Sequence, residues 1–166
     1  MITQKELKKL FYYDPDTGEF IRLTTIKSNN NTAYKGCIAG YRHKQGYMLI
    51  KINSKQYKAH RLAFLYMTGS IPDQVDHINH IRDDNRWINL RSANASINAK
   101  NASRRRDNNS GISGVNENRY GSWVARINVN CEEIYLGTFK NFLDAVSARK
   151  SAEMKYGFHP NHGASI

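Results

Sequence analysis

Asp76, His77, Asn89 and Asn98 are the residues of this 166-residue chain whose types and spacing could do chemistry. The first two lie in Val75-Asp76-His77-Ile78-Asn79, which is followed by Asn85, by Asn89-Leu90-Arg91 and then by Asn98. Hydrolysis of a phosphodiester needs a base to activate water, a cation to neutralise the pentavalent transition state and help for the leaving 3′ oxygen. One imidazole, one carboxylate and one amide oxygen can meet those needs around a single hard ion. In that scheme His77 takes the proton from water, and Asp76 and the side-chain oxygen of Asn98 hold a Mg²⁺-like ion. Asn89 hydrogen-bonds backbone across the motif and sets the direction of the imidazole. Ligation by oxygen alone points away from zinc. An Asp-His pair in isolation is more often a turn or a surface feature, so the scheme requires a strand-loop-strand-helix path that returns Asn98 to the carboxylate.

The elements that would provide such a path can be read from the chain. Thr3, Glu6 and the Ile2/Leu7 pair form a capping box with a hydrophobic staple, which predicts a helix ending near Phe11. Asp14-Pro15-Asp16-Thr17-Gly18 is a turn, Phe20 to Leu23 a strand, and the Asn-, Ser- and Lys-rich residues 24–35 an exposed loop. Met48, Ile50 and Ile52 alternate with Tyr47, Leu49 and Lys51 as in a strand, and Asn53-Ser54 is a hairpin turn leading to Tyr57. A helix is predicted over Ala59 to Thr68, with Gly69 as its C-cap and Pro72 blocking continuation. Val75 to Ile78 is extended, a turn lies near Trp87, and a further helix runs from about Asn94 to Asn101. Residues 102–111 are nearly devoid of apolar groups and read as a basic linker. Beyond it, Val115–Asn118, Trp123–Val129 and Glu133–Phe139 are strands, and a helix capped by Asn141 carries Phe142, Ala145, Ala148 and Ala152 at helical spacing.

Composition narrows the partners. Lys and Arg number 25 against 14 Asp and Glu, a net charge of +11. That excess favours a polyanion, although general solubility explains it equally well. The run Arg104-Arg105-Arg106 concentrates charge where it would release counterions from phosphates. No segment is apolar enough for a membrane span and the first residues lack a signal-peptide core, so a cytoplasmic protein without membrane contact is expected. Cys37 and Cys131 form no Cys-x-x-Cys pair and are expected to be small buried or half-buried thiols. His80 could pair with His77 as a His-x-x-His ligand set, but that would consume the base. His60 reads as a structural polar group and Arg61 as a phosphate contact. His159 and His162 fall in a loose tail, residues 159–166.

Tyr57-Lys58-Ala59-His60-Arg61-Leu62, Pro72, Val75-Asp76-His77-Ile78-Asn79, Asp84-Asn85-Arg86 and Asn89-Leu90-Arg91 together resemble the HNH endonuclease family, especially its phage and intron-encoded homing or nicking type. The resemblance covers residues 57–101 and implies a ββα-metal motif. In it Asp76 and Asn98 are the metal ligands, His77 is the general base and Asn89 is the structural asparagine. It also implies one Mg²⁺ or Mn²⁺ per active site, double-stranded DNA as substrate and a phage gene acting in a bacterial host. Asn98 stands where many members carry a second histidine, and the cysteine pairs of zinc-stapled members are missing from this sequence.

Ser113-Gly114-Val115, Trp123-Val124-Ala125-Arg126-Ile127 and Ile134-Tyr135-Leu136-Gly137-Thr138-Phe139, followed by an alanine-rich helix, resemble an AP2-type DNA-binding domain over residues 111–157. That family lays three strands in the major groove with the reading side chains opposite the helix. Alternation along Trp123, Ala125, Ile127 and Val129 puts Arg126 and Asn128 on the other face. Arg126 is then the foremost base reader, with Asn116, Asn118, Arg119, Asn128 and Tyr135 as companions; each could equally be an ordinary solvated sheet residue.

The sequence thus predicts an α+β protein in two domains. Residues 1–101 form a ββα-metal nuclease domain with an amino-terminal helix and strand extension, 102–111 the linker, 112–158 a three-stranded antiparallel sheet with one packed helix, and 159–166 the tail. A monomer with one active site, needing no small-molecule cofactor, would nick one strand of duplex DNA. The alternative is a DNA-binding regulator with a decayed catalytic centre.

Overall fold

The structure is a computed structural model that describes residues 2–28 and 31–164. Met1, two positions of the expected 24–35 loop and the last two of the expected tail lie outside those residues. The chain divides into two compact units, Met1–Asn94 and Ala95–Ile166. Both mix helices with antiparallel strands, in agreement with the α+β expectation.

The first unit opens with α1 (Gln4–Leu10). Glu6 N–H donates to Thr3 Oγ1 at 3.2 Å and Thr3 N–H to Glu6 Oε2 at 2.8 Å, the reciprocal box read from the sequence. The chain leaves the helix directly into β1 (Phe11–Tyr13), which pairs with β2 (Phe20–Arg22). Asp14 Oδ1 accepts from the backbone of Asp16 and Thr17 in the turn between them. Gly18 closes that turn at φ +78°, and a Cβ there would overlap the backbone of Asn85 and Arg86.

The described residues of 24–35 are not a featureless loop: β3 (Ile26–Ser28) pairs antiparallel with β4 (Asn31–Ala33). Polar side chains suggested a loop, but ladder hydrogen bonds between backbones do not require apolar ones. Next come β5 (Tyr41–Arg42), β6 (Met48–Ile52) and β7 (Lys55–Lys58) in an antiparallel sheet of that order. Asn53 (φ +47°) and Ser54 (φ +65°) make the two-residue hairpin turn between β6 and β7. Leu49 is buried along with Ile50 and Ile52, so the predicted alternation holds only in part.

Helix α2 (Ala59–Thr68) ends at Gly69, whose φ of +81° lets its N–H return to the Leu65 carbonyl. Leu62, Ala63, Phe64 and Leu65 of α2 pack with Leu7, Phe11, Tyr13, Phe20 and Ile50 into one core. The unit closes with β8 (Gln74–His77), a 3-10 turn over Trp87–Asn89 and β9 (Leu90–Ala93), which pairs antiparallel with β8.

The second unit begins with α3 (Ala95–Lys100), so the division falls between β9 and α3 rather than in residues 102–111. The expected basic linker is folded into this unit by hydrogen bonds. Arg104 donates to the Gly111 carbonyl at 2.7 Å, and Asn108 Nδ2 and Ser110 Oγ both donate to the Ile112 carbonyl. Its lack of apolar residues misled the linker reading, because polar contacts rather than burial hold it in place.

Strands β10 (Val115–Glu117), β11 (Trp123–Val129) and β12 (Glu132–Phe139) form an antiparallel sheet, and α4 (Phe142–Lys155) packs on it through Ala145. Asn141 caps α4 by accepting from Leu143 N–H. Ala125 and Ile127 are buried while Arg126 and Asn128 are exposed, as the alternation predicted. Arg149 is buried under an irregularity in the ladder at Ala125/Arg126. It donates to Glu153 Oε1 at 2.9 Å and to the Arg126 carbonyl, and its other nitrogen lies 3.1 Å from His162 Nε2.

The described part of the expected tail is tied down as well. His159 N–H bonds the Lys100 carbonyl, Gly163 N–H the Ala102 carbonyl, and the Arg104 N–H the Ala164 carbonyl. Cys37 and Cys131 are exposed rather than buried. Cys131 sits in the β11–β12 turn at φ +68°, where its side chain has no core to enter.

Candidate active site

His77 ends β8 and is 5% exposed. Its Nε2 lies 3.3 Å from Oδ1 of Asn85, and the Asn85 amide nitrogen donates to the Asp83 carbonyl at 3.1 Å. That second bond orients the amide with its oxygen toward the imidazole. Asn85 is itself held from the far side of the unit. Tyr13 O–H donates to the Asn85 carbonyl at 2.6 Å, and Trp87 N–H to the Pro15 carbonyl at 2.9 Å. The β1–β2 hairpin therefore supports the loop that supports the histidine.

Burial pushes the His77 imidazole below the ordinary histidine range; the hydrogen bond to Asn85 and the nearby carboxylates of Asp76, Asp84 and Asp83 oppose that shift. A second imidazole, His60 of α2, stands edge-to-face against His77 with ring centroids 4.8 Å apart. His60 is 4% exposed, and burial, reinforced by His77 and by Lys58 and Arg61, pushes it down to about 3. Tyr47 flanks both rings, 5.3 Å from His60 and 6.1 Å from His77.

Asp76 faces Arg91 directly across the β8–β9 ladder. Arg91 Nε and one terminal nitrogen both donate to Asp76 Oδ2, at 3.0 and 2.7 Å. Asn89 spans the intervening loop: its Oδ1 accepts from Asn79 N–H at 3.0 Å and its Nδ2 donates to the Asp84 carbonyl at 2.8 Å. Asp84 binds Asn79 and Arg86, and the Arg86 guanidinium holds its carboxyl well below the usual carboxylate range. The structure thus brings Asp76, His77, Asn85 and Asn89 together in the first unit. Asn98 is a half-buried residue of α3 in the second.

Among the described residues no group of three His, Cys, Asp or Glu side chains could hold a metal. The Asp76 carboxylate offers hard oxygen, which suits Mg²⁺ or Mn²⁺ better than zinc. His80, at φ +65°, belongs to the turn after β8, where its N–H bonds the His77 carbonyl.

The remaining expected site residues divide by what their side chains touch. Arg61 donates to the Asp73 carbonyl at 3.1 Å. Arg104 is turned inward to Gly111, Arg105 pairs with Asp107, and Arg106 is exposed. Asn118 Oδ1 accepts from Tyr120 and Ser122 N–H and so shapes the β10–β11 turn, while Arg119 lies on the Tyr120 ring. Asn116, Arg126, Asn128 and Tyr135 are exposed on the sheet. Arg126 pairs with Glu133 at 3.0 Å, and the Tyr135 hydroxyl lies 2.7 Å from Thr138 Oγ1. Sequence reasoning gave Asn85 no role, left Arg91 inside a motif and did not place His60 beside His77. The signal for Arg91 was available in the antiparallel register, which sets it opposite Asp76.

Residues 57–100 match the family model for HNH endonuclease. This segment, which holds Asp76 and His77, is therefore similar to HNH endonucleases. A solved structure described as "DNA binding and cleavage by the HNH homing endonuclease I-HmuI" is similar at 26% identity, covering 57% of this chain and 54% of that chain with a TM-score of 0.42. The chain spans about half the length of that relative. No curated protein matches it.

Proposed function

We propose that the protein is a metal-dependent endonuclease that nicks one strand of duplex DNA per active site. The observation that carries this reading is His77, buried and oriented by Asn85, next to a carboxylate in a segment of HNH endonuclease type. With Nε2–H donating to Asn85 Oδ1, the ring lone pair lies on Nδ1, the atom that takes a proton from water. Burial favours the neutral ring that this requires. Asn89 keeps the 79–84 loop closed and so holds Asn85 in place.

Asp76 and Asn98 would hold one Mg²⁺ or Mn²⁺, which when bound supplies charge for the phosphate and the leaving oxygen. Arg91 orients Asp76 for that task. On the second unit, the sheet face opposite α4, with Arg126, Asn116, Asn128 and Tyr135, serves as an AP2-like reader of the major groove. The protein works as a monomer in the cytoplasm of a phage-infected bacterium.

Supercoiled plasmid incubated with Mg²⁺ tests the reading. The wild-type chain should yield open circles, and His77→Ala should lower the rate by on the order of 10²–10⁴-fold while retaining DNA binding. Equal nicking by the two proteins would overturn it. The second reading, a DNA-binding regulator without catalysis, draws on the engagement of Asp76 Oδ2 by Arg91; binding with no nicking by the wild-type chain at any Mg²⁺ or Mn²⁺ concentration would favour it.

A further inference from the structure

The charges around His77 are of two kinds. Asp76, Asp83 and Asp84 all lie near enough to act on the imidazole's charge. Each is paired with an arginine: Asp76 with Arg91 at 2.7 Å, Asp83 with Arg42 at 3.0 Å and Asp84 with Arg86 at 2.6 Å. Three carboxylates that would repel a phosphate backbone are thereby neutralised.

Two further cations stand at the same place without a carboxylate. Lys58 Nζ lies over the Tyr47 ring, 4.2 Å from its centroid, and the Arg82 guanidinium lies 5.3 Å from the same centroid. Among the described residues neither belongs to an ion pair. Arg82 is further fixed by a 2.9 Å bond to the Gln45 carbonyl, and Lys58 by its position at the end of β7, opposite Leu49. Both are exposed, whereas the Tyr47 ring is half-buried against His60 and His77. An aromatic face positions a cation but leaves its charge in place, which a carboxylate does not.

We propose that Lys58 and Arg82, held on Tyr47, grip DNA phosphates and seat the strand against His77. The proposal rests on the endonuclease reading for its substrate. The chemistry is that of ordered phosphate contacts: cations held by a ring and a backbone carbonyl lose less freedom on binding than free side chains do. These contacts set register and carry no sequence information.

The test uses the full-length protein, with a short fluorescein-labelled duplex of random sequence in EDTA for binding and Mg²⁺ with supercoiled plasmid for cleavage. Lys58→Gln and Arg82→Gln should each lower the slope of log Kd against log salt by about 0.9, and the double variant by about twice that. Lys5→Gln, an equal loss of charge on exposed α1, should keep the wild-type slope. Lys58→Arg and Arg82→Lys should restore it, which separates lost phosphate contacts from misfolding. A double variant with the wild-type slope overturns the grip, and so does a Lys5→Gln loss as large as that of Lys58→Gln. If the wild-type chain nicks and the double variant keeps its slope, the grip falls and the endonuclease reading stands. If the wild-type chain never nicks but the slopes change as stated, the reading falls and the grip stands.

Discussion

His60 has the clearest consequence at the scale of single residues. It is neutral because it is buried, with an ionisation point near 3 in the folded chain against 6.5 for the free side chain. Between those values the unfolded chain binds the proton and the folded one does not, so stability rises with pH across that window and is lost as acid is added. Replacing His60 by Phe keeps an aromatic ring against His77 and removes the proton. Urea unfolding of the wild type should then show an extra dependence of up to about 1.4 kcal/mol per pH unit in that range, absent from His60→Phe. Parallel pH profiles for the two proteins would mean that the imidazole is charged in its pocket. His60 was read from the sequence as a structural polar group on an apolar helix, and its burial agrees. Its contact with His77 was not legible, because α2 and β8 meet only through tertiary packing.

The β1–β2 hairpin acts at the scale of elements. It holds Asn85 through Tyr13 and the Asp14–Gly18 turn. Gly18→Ala would force a left-handed backbone on alanine and push its methyl group into Asn85 and Arg86. A loss of about 1–3 kcal/mol in urea unfolding is expected, with a lower nicking rate at saturating DNA. Unchanged turnover in a destabilised protein would show that the hairpin supports the core alone. Asp14-Pro15-Asp16-Thr17-Gly18 was legible as a turn from its residue types, but its use as a prop was not. The ladder was more informative. Once β8 and β9 were known to be antiparallel, register placed Arg91 opposite Asp76. In the second unit, Arg149 and Glu153 have side chains 5% and 8% exposed. Arg149→Met should cost about 1–3 kcal/mol, because Glu153 loses its buried partner and keeps only Lys150, at 2.7 Å; thermal unfolding of the single variant and of one with Glu153→Leu as well would separate that penalty from lost packing.

For the whole molecule, division into two units changes what a truncation removes. Residues 1–94 hold their own core of Leu7, Phe11, Phe20, Ile50 and Leu62, and should unfold cooperatively as a fragment. That fragment retains Asp76 and His77 but lacks Asn98 and the proposed reading face, so it should bind duplex with a shallower salt slope and leave plasmid uncut. Cleavage by the fragment would remove Asn98 from the proposed ligand set. The boundary was misjudged from sequence because polar residues 102–111 resemble a linker in composition, while Arg104, Asn108 and Ser110 fold them with hydrogen bonds. The strands and helix of the second unit were legible to within a residue or two, since alternation along Trp123–Val129 and the Asn141 cap are local signals.

The exposure of both cysteines gives each unit one accessible thiol, Cys37 in the first and Cys131 in the second. Changing either one to serine leaves a protein that maleimide dyes label at a single known place. A fluorophore on Cys131, at the tip of the β11–β12 hairpin, would test whether duplex docks on the neighbouring strands, and one on Cys37 would serve as its internal control.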